Sequence, residues 1–274
     1  MVEVRREAPA WLLRWEAVVI VAACAIGLSS IPLLQGHIGL SWDALNHHIY
    51  LGWMADRPRF DQDLMAASYQ AYQYPYLYWP VYKLAMAGAS GVQAGLALAL
   101  LQLPAVPAIW LIARACVPGR EVFDVAMRSL AVALAFLNGI VLSMFDTTGN
   151  DLLAAIPLLW AIAVALRPLA GGGARPSALA RAALLSGLLA GVSVAFKLSN
   201  APVAIVLPLL WVWGRDTMSS KARRLVQAGL GAVAGFAMAY GYWGWQLWTH
   251  FGNPIFPLYD NWFESLRDLS GWRP

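Results

Sequence analysis

The chain has 274 residues, of which 60% are hydrophobic and only 12% are charged. Soluble globular domains carry about 25% charged residues, so this composition, with its apolar runs near 20 residues, predicts an all-α polytopic membrane protein. The net charge of +4 is accompanied by neither a basic stripe nor a nucleic-acid motif, which argues against a nucleic-acid partner. Cys24 and Cys116 both lie within apolar runs, so neither a disulfide nor a CxxC metal site is predicted.

Seven apolar segments follow one another along the chain, and we interpret all of them as transmembrane helices of one module that covers residues 1–274. The predicted spans are 15–34, 93–116, 128–145, 152–166, 182–196, 202–213 and 225–248. The fifth and sixth are shorter than the roughly 20 residues that cross a bilayer alone. We therefore expect them to form a hairpin that is tilted or shielded by protein.

The basic residues predict the orientation of the spans. Thirteen of the 19 Lys and Arg residues lie before the first span or in and beside the linkers 117–127, 167–181 and 214–224. Cytoplasmic loops are enriched in Lys and Arg, so these linkers and the N-terminus are predicted to be cytoplasmic. The loop 35–92, two short turns and the tail 249–274 then lie on the outer face. The Tyr- and Trp-rich outer loop predicts helices that lie along the membrane surface.

The first polar stretch on the outer side is SWDALNHHIY, residues 41–50. Ser41 can cap a helix whose first turn contains Asp43, and the helix dipole keeps such a carboxylate ionised. Asp43, Asn46 and His47 would share one helix face, since they are spaced i, i+3 and i+4. Asp43 is thus a candidate base, although a solvated loop acid fits its position equally well. Two potential ligands spaced as Asp43 and His47 are weak support for a metal site.

Three further outer segments carry polar groups. Asp146 and Asp151 flank a turn between two spans, where a plain polar turn is the simpler interpretation. Lys197 ends the fifth span on the outer side, against the positive-inside trend. It is either a binding residue or a side chain that extends to a lipid phosphate. His250, Asn253 and Tyr259 lie in the tail THFGNPIFPLYDNWF, which would otherwise be an interfacial segment.

The outer segments resemble those of the GT-C superfamily of integral-membrane glycosyltransferases, which includes the protein O-mannosyltransferases and the lipid A aminoarabinose transferase. Members have an acid soon after the first span, and Asp43 in SWDALNHHIY matches it. Many bacterial members continue with Tyr-His; here His47 replaces the Tyr and His48 matches the His. The later YPYLYWPVYKL is similar to the Pro-Leu-Tyr-Tyr surface helix of the superfamily.

The resemblance extends to the later segments. Asp146 matches an acid at the outer end of the third span, and Lys197 in AFKLSN matches a Lys that ends the fifth. The tail GNPIFPLYDNWF, with Asn253 and Tyr259, is similar to a Gly-Asn-Pro-x-Phe-Pro-x-Tyr segment of bacterial members, and this match is the most specific.

The resemblance implies a bacterial inner-membrane enzyme with its active face on the periplasmic or extracellular side. It would move a sugar from a polyprenyl-phosphate donor to a hydroxyl acceptor with inversion. Asp43 would be the catalytic base, and Lys197, with His250, would offset charge on the leaving phosphate. The remaining candidate substrate-binding residues are His47, His48, Asp146, Asp151, Asn253 and Tyr259. No cofactor is implied with certainty; in metal-using members Asp146 or Asp151 would hold a divalent ion.

Members of the superfamily usually continue beyond seven spans, whereas this sequence ends at Pro274. The sequence is then a truncated form, or a protein partner supplies the remaining part, or the chain has lost catalysis. The main alternative function is therefore a non-catalytic membrane subunit that retains the fold. A transporter is less well supported, because it would place ionisable residues at mid-membrane in broken helices.

Overall fold

A computed structural model describes residues 6–63, 65–170, 173–213 and 216–272. Twelve α-helices cover most of these residues. They are α1 Ala10–Gln35, α2 Ile49–Met54, α3 Trp79–Met86, α4 Gly91–Gln102, α5 Ala105–Cys116, α6 Val122–Phe136, α7 Gly139–Ser143, α8 Asp151–Ala170, α9 Pro176–Phe196, α10 Ala201–Val206, α11 Met218–Phe251 and α12 Asp260–Ser270. Shorter elements are a π-helical turn at Ala44–His48, an extended segment at Ala66–Tyr69, and 3-10 turns that include Leu207–Val212.

Five helical segments within the described ranges are long and apolar enough to cross a membrane. They are α1, the run Gly91–Cys116 formed by α4 and α5, α8, α9 and α11. The protein is therefore an all-α polytopic membrane protein, as its composition predicts. The predicted outer loop does carry helices, namely α2 and α3.

The other two predicted spans are helical but broken. The segment 128–145 divides at Leu137, because Asn138 turns out of the helix and accepts a hydrogen bond from the Val141 N–H at 3.0 Å to start α7. The segment 202–213 consists of α10 followed by the 3-10 turn Leu207–Val212. Neither contains a single helix of spanning length.

Both broken segments nevertheless run from one end of the bundle to the other. Ala8 N donates to Arg120 O at 2.9 Å, which places the start of α6 beside the start of α1. Gly39 N donates to Asp146 O at the opposite end, which we name the loop end. Leu207 packs near Ala190, and Trp211 packs near Ala183, so the residues after α9 run back along it. Along its described residues the chain makes seven passes.

Helices α9 and α11 are parallel and form the closest contact in the bundle. Gly187 and Gly191 of α9 face the backbone of α11, and Gly231 and Gly235 of α11 face the backbone of α9. A Cβ atom at any of these four positions would overlap a carbonyl of the other helix. Small residues four apart allow this approach, as in membrane helix pairs generally.

A buried ion pair closes the end of the bundle opposite the loop end. The Arg128 guanidinium donates to both carboxylate oxygens of Glu16, at 2.6 and 2.7 Å, and to the carbonyls of Val117 and Gly119 at 2.8 Å. Trp110 Nε1 donates to the same carboxylate at 3.0 Å. The pair fixes α1 against α5 and α6. It also means that one of the 13 basic residues used for orientation is neutralised inside the protein.

Candidate functional site

The SWDALNHHIY stretch forms a capped turn at the loop end. Ser41 Oγ accepts a hydrogen bond from the Ala44 N–H at 3.1 Å, which confirms the predicted cap. The turn that follows is π-helical rather than α-helical, since Ile49 N donates to Ala44 O. π-helical turns occur frequently at functional sites. Here the turn buries two successive imidazole rings, His47 and His48.

His48 is held between the loop and the start of α8. Its Nδ1 lies 2.7 Å from Thr148 Oγ1, and its ring stacks on Tyr78 with a centroid distance of 4.5 Å. Burial, together with the adjacent His47, lowers the pKa of His48 to about 4. His48 is therefore neutral at physiological pH, and its Nδ1 either donates a hydrogen bond to the Thr148 hydroxyl or accepts one from it, depending on the tautomer.

His47 connects the buried rings to Asp43. Its Nδ1 lies 3.8 Å from Asp43 Oδ1, too far for a hydrogen bond, and finds no hydrogen-bond partner within the described residues. Burial lowers the pKa of His47, while Asp43 raises it in part. The Asp43 side chain is 54% exposed, so it can meet a molecule from outside. The Asn46 amide is engaged by the loop, since it donates to Gln70 Oε1 at 2.7 Å.

Lys197 and Asp151 form an ion pair next to the histidines. Lys197 is the residue at which α9 ends, and its Nζ donates to Asp151 Oδ1 in the first turn of α8. The charges of both residues affect the pKa of His48 in opposite directions. Asp43, His47, His48, Asp151 and Lys197 are thus brought together from three separate segments of the sequence.

Tyr78 lies behind this group and was not among the residues expected to bind a substrate. It is buried, stacks on His48 and is hydrogen-bonded by the Asn150 side chain. Burial, followed by the nearby Asp151, raises the pKa of Tyr78 far above its usual value, so the phenol stays neutral. Thr148 and Asn150 were also missed, although the polar run TTGND before an apolar span was a visible signal.

An aromatic cavity of about 190 Å³ opens beside the cluster. Lys197, Asn150 and Tyr78 are part of its wall, so the cavity and the ionisable group are contiguous. The remaining wall is mostly aromatic and apolar and comes from the loop, from α9 and α11, and from the tail; it includes Tyr72, Tyr74, Phe196, Tyr240, Ile255, Phe256, Pro257 and Leu258. Such a lining suits an apolar chain or the C–H face of a sugar, with polar groups at one side.

Four predicted site residues lie apart from this group. The backbone carbonyl of Asp146 accepts a hydrogen bond from the Gly39 N–H. The Asp146 side-chain Oδ1 is buried and has no hydrogen-bond partner in the part of the chain described. A Cβ at position 39 would lie 2.7 Å from that carbonyl, so the contact requires glycine. His250 belongs to a second cavity, of about 400 Å³, on the far side of Phe256. Tyr259 points outward and stacks on Trp262.

Asn253 is fully buried, and its amide is committed to the turn before α12. It donates to Leu258 O at 3.0 Å and to Asp260 Oδ1 at 3.1 Å, and it accepts from Ile255 N–H at 2.9 Å. These bonds leave the amide little capacity for a ligand. Asn253 shapes the tail segment that forms one wall of the aromatic cavity.

Within residues 6–63, 65–170, 173–213 and 216–272, no group of three or more His, Cys, Asp and Glu side chains is placed to hold a metal ion. The chain matches no protein-family model, no curated protein and no solved structure at a significant level. The geometry of the loop end and the properties of its residues are therefore the basis for a functional proposal.

Proposed function

We propose that this protein is a glycosyltransferase that moves a sugar from a polyprenyl-phosphate donor to a hydroxyl acceptor, with inversion, at the periplasmic or extracellular face of a bacterial inner membrane. The observation that carries the proposal is the position of Asp43. Its carboxylate is exposed, lies next to His47, and belongs to a cluster that borders an aromatic cavity. Asp43 itself is not part of the cavity wall, which the group reaches through Lys197 and Tyr78. An accessible carboxylate in a group that adjoins an apolar binding volume is an arrangement that suits a base acting on a membrane-bound substrate.

The residues around Asp43 support this role. A neutral His48 adds no competing positive charge near the carboxylate, because burial lowers its pKa to about 4. Its contacts with Thr148 and Tyr78 hold the loop against α8. Asp43 is therefore presented from a turn that is anchored on both sides, which favours a fixed catalytic geometry.

The aromatic cavity supports a lipid-linked substrate. Its rings provide an apolar surface for an isoprenoid chain or for a sugar ring, and Lys197 supplies a cation at the edge. A phosphate placed there would receive hydrogen bonds from the Lys197 ammonium, which would stabilise the charge that develops on the leaving group.

The reaction is a single displacement. Asp43 takes the proton of the acceptor hydroxyl, and the acceptor oxygen forms a bond to the anomeric carbon. The bond between that carbon and the phosphate oxygen breaks, and polyprenyl phosphate leaves with the electron pair. The proton on Asp43 is then released to water from its exposed position.

The test is transfer of radiolabelled sugar from polyprenyl-phosphate donors by membranes that contain the wild-type chain, Asp43→Asn or Asp61→Asn. Asp61 is a matched control, since it is an exposed acid of the same outer loop. We expect transfer to fall at least 100-fold in Asp43→Asn and to stay within twofold in Asp61→Asn at equal expression. Equal activity of the two variants would exclude Asp43 as the base.

One observation favours the alternative of a non-catalytic membrane subunit. The charge of Lys197 is already compensated by Asp151, as in a pair that only joins α9 to α8. If native membranes with the wild-type chain transfer no sugar from any of several donors, this alternative replaces the enzyme.

A further inference from the structure

Helix α12 has an apolar stripe that no described residue covers. Trp262, Leu266 and Leu269 are spaced four and three residues apart, so they lie on one side of the helix. Tyr259 precedes the helix, and its ring extends this stripe by stacking on Trp262. These four side chains are between 52% and 85% exposed. Trp and Tyr prefer the boundary between hydrocarbon and water, and two of the four residues are of these types.

The opposite side of α12 is fixed to the end of α11. Arg267 donates to Asp260 at 2.9 and 3.1 Å, and to Phe251 O, the last carbonyl of α11, at 3.2 Å. Phe263, one turn from Arg267, is half-buried. Asp260 also accepts from the buried Asn253. These contacts set which side of α12 faces the protein, so the apolar stripe has a defined outward direction.

The length of α11 places this contact at a membrane boundary. The helix has 34 residues and carries Lys221, Arg223 and Arg224 near its start. Those basic residues belong outside the hydrocarbon core, which is about 30 Å thick. The 27 residues from Leu225 to Phe251 extend for about 40 Å. Phe251, and with it the anchor of α12, therefore lies just outside the hydrocarbon core, close to the headgroups.

We propose that α12 lies along the bilayer surface with Tyr259, Trp262, Leu266 and Leu269 inserted into the boundary between headgroups and acyl chains. Lipid fits this stripe because α12 is hydrogen-bonded to the end of a membrane span. Tyr242 and Trp245 are themselves exposed, and they lie about 14 and 9 Å before Phe251 along α11, so they face lipid just below the level of α12.

The charges of α12 determine which lipid property governs the interaction. The helix carries three acids, Asp260, Glu264 and Asp268, and one cation, Arg267, which is already paired. An acidic helix gains nothing from anionic headgroups, so burial of the apolar stripe must provide the binding energy. Insertion is therefore expected to be as deep in zwitterionic bilayers as in anionic ones.

The experiment measures the depth of single labelled positions. In a Cys24→Ala, Cys116→Ala background, cysteine is introduced at Leu266, at Leu269 or at Asp268, and is labelled with a small fluorophore. Asp268 is the matched control, since it is exposed and lies next to Leu269 but off the apolar stripe, in the wall of the second cavity. Each protein is placed in phosphatidylcholine nanodiscs with or without lipid that carries a nitroxide near the headgroup, and iodide is the aqueous quencher.

We expect the nitroxide lipid to quench the labels at 266 and 269 at least twofold more than the label at 268, and iodide to give the reverse order. Replacing one third of the phosphatidylcholine by phosphatidylglycerol should leave both patterns unchanged. Two positions on the stripe are labelled so that the test can still be made if one of the two substitutions prevents folding. The thermal unfolding temperature of each variant shows whether it is folded. Iodide quenching at 266 and 269 equal to that at 268 would overturn the proposal. Protection at 266 and 269 from both quenchers would also overturn it, because protein would then cover the stripe.

Discussion

Glu16 and Arg128 form a bidentate ion pair in which both side chains are almost completely buried, at 1% and 0% exposure. The two residues are 112 positions apart and belong to α1 and α6. A buried pair of this kind is costly to leave half complete, because the remaining charge keeps its desolvation penalty without its partner.

Glu16→Gln should therefore destabilise the protein by about 3–5 kcal/mol. The measurement is reversible unfolding in mild detergent, followed by circular dichroism. Arg114→Gln is the control, since Arg114 lies 3.7 Å from the same carboxylate but is 45% exposed, and its loss should cost less than about 1 kcal/mol. The double variant Glu16→Leu, Arg128→Met should recover much of the loss. Equal effects of Glu16→Gln and Arg114→Gln would show that the pair is not the joint between α1 and α6.

The contact between α9 and α11 predicts opposite effects of the same substitution at two glycines of one helix. Gly231 meets the Leu184 backbone, whereas Gly229 faces open space. Gly231→Ala should lower the unfolding temperature, because the helices must separate to admit the methyl group. Gly229→Ala should leave the unfolding temperature unchanged or raise it, because alanine favours the helix over glycine by up to about 1 kcal/mol. The measurement is the thermal unfolding temperature of both variants in detergent. If both variants shift this temperature in the same direction, the helices are not tightly packed at Gly231.

Neutralising Asp151 should strengthen anion binding at Lys197. Asp151→Asn removes the charge that compensates Lys197, so polyprenyl phosphate should bind about fivefold more tightly, whereas Lys197→Gln should weaken binding about tenfold. Isothermal titration with a short-chain polyprenyl phosphate in detergent measures both. Lys83→Gln is the control, because Lys83 forms a comparable pair with Asp56 elsewhere on the loop. If Asp151→Asn and Lys197→Gln weaken binding alike, the pair is structural rather than a binding group.

The pKa of His48 predicts how stability changes with pH. The pKa falls from an ordinary 6.5 to about 4 on folding, so the unfolded chain binds a proton at higher pH than the folded one. The contribution of His48 to stability is therefore lost as pH falls from 6.5 towards 4, by on the order of 3 kcal/mol, and this contribution changes no further below that value. His48→Asn, which keeps a partner for Thr148, should flatten most of this slope. Chemical unfolding at pH 7, 5.5 and 4 makes the comparison, and parallel profiles for the two proteins would refute the prediction. The lowered pKa of His47 acts in the same direction and should leave a smaller residual slope.

The long apolar runs made the fold predictable, since membrane helices must be apolar along most of their length. The breaks were harder to foresee. Leu137 and Asn138 interrupt a run that reads as one span, and only the tertiary arrangement turns the chain there. Glu16 was hidden in the same way, because nothing local to α1 reveals a partner that comes from α6.

The candidate site was predictable where the information is local and not where it is distant. The cap by Ser41 and the end of α9 at Lys197 depend on nearby residues, and both occur as expected. The contact between His48 and Thr148 joins residues 100 positions apart, which a single sequence does not encode visibly. In the tail, Asn253 looked like a ligand-binding residue, yet its amide is used by the turn itself.

The return pass after α9 has a consequence for how the chain is inserted during synthesis. Leu198–Val212 is shorter than an autonomous span, and its 3-10 turn covers about 12 Å where six α-helical residues would cover about 9 Å. A translocation machinery that releases segments one at a time would leave this piece outside the bilayer. It must enter together with α9, as one hairpin. Should it fail, α11 would enter in the opposite direction and carry Ile255 to Leu258 to the wrong side, so that the aromatic cavity would never acquire its last wall.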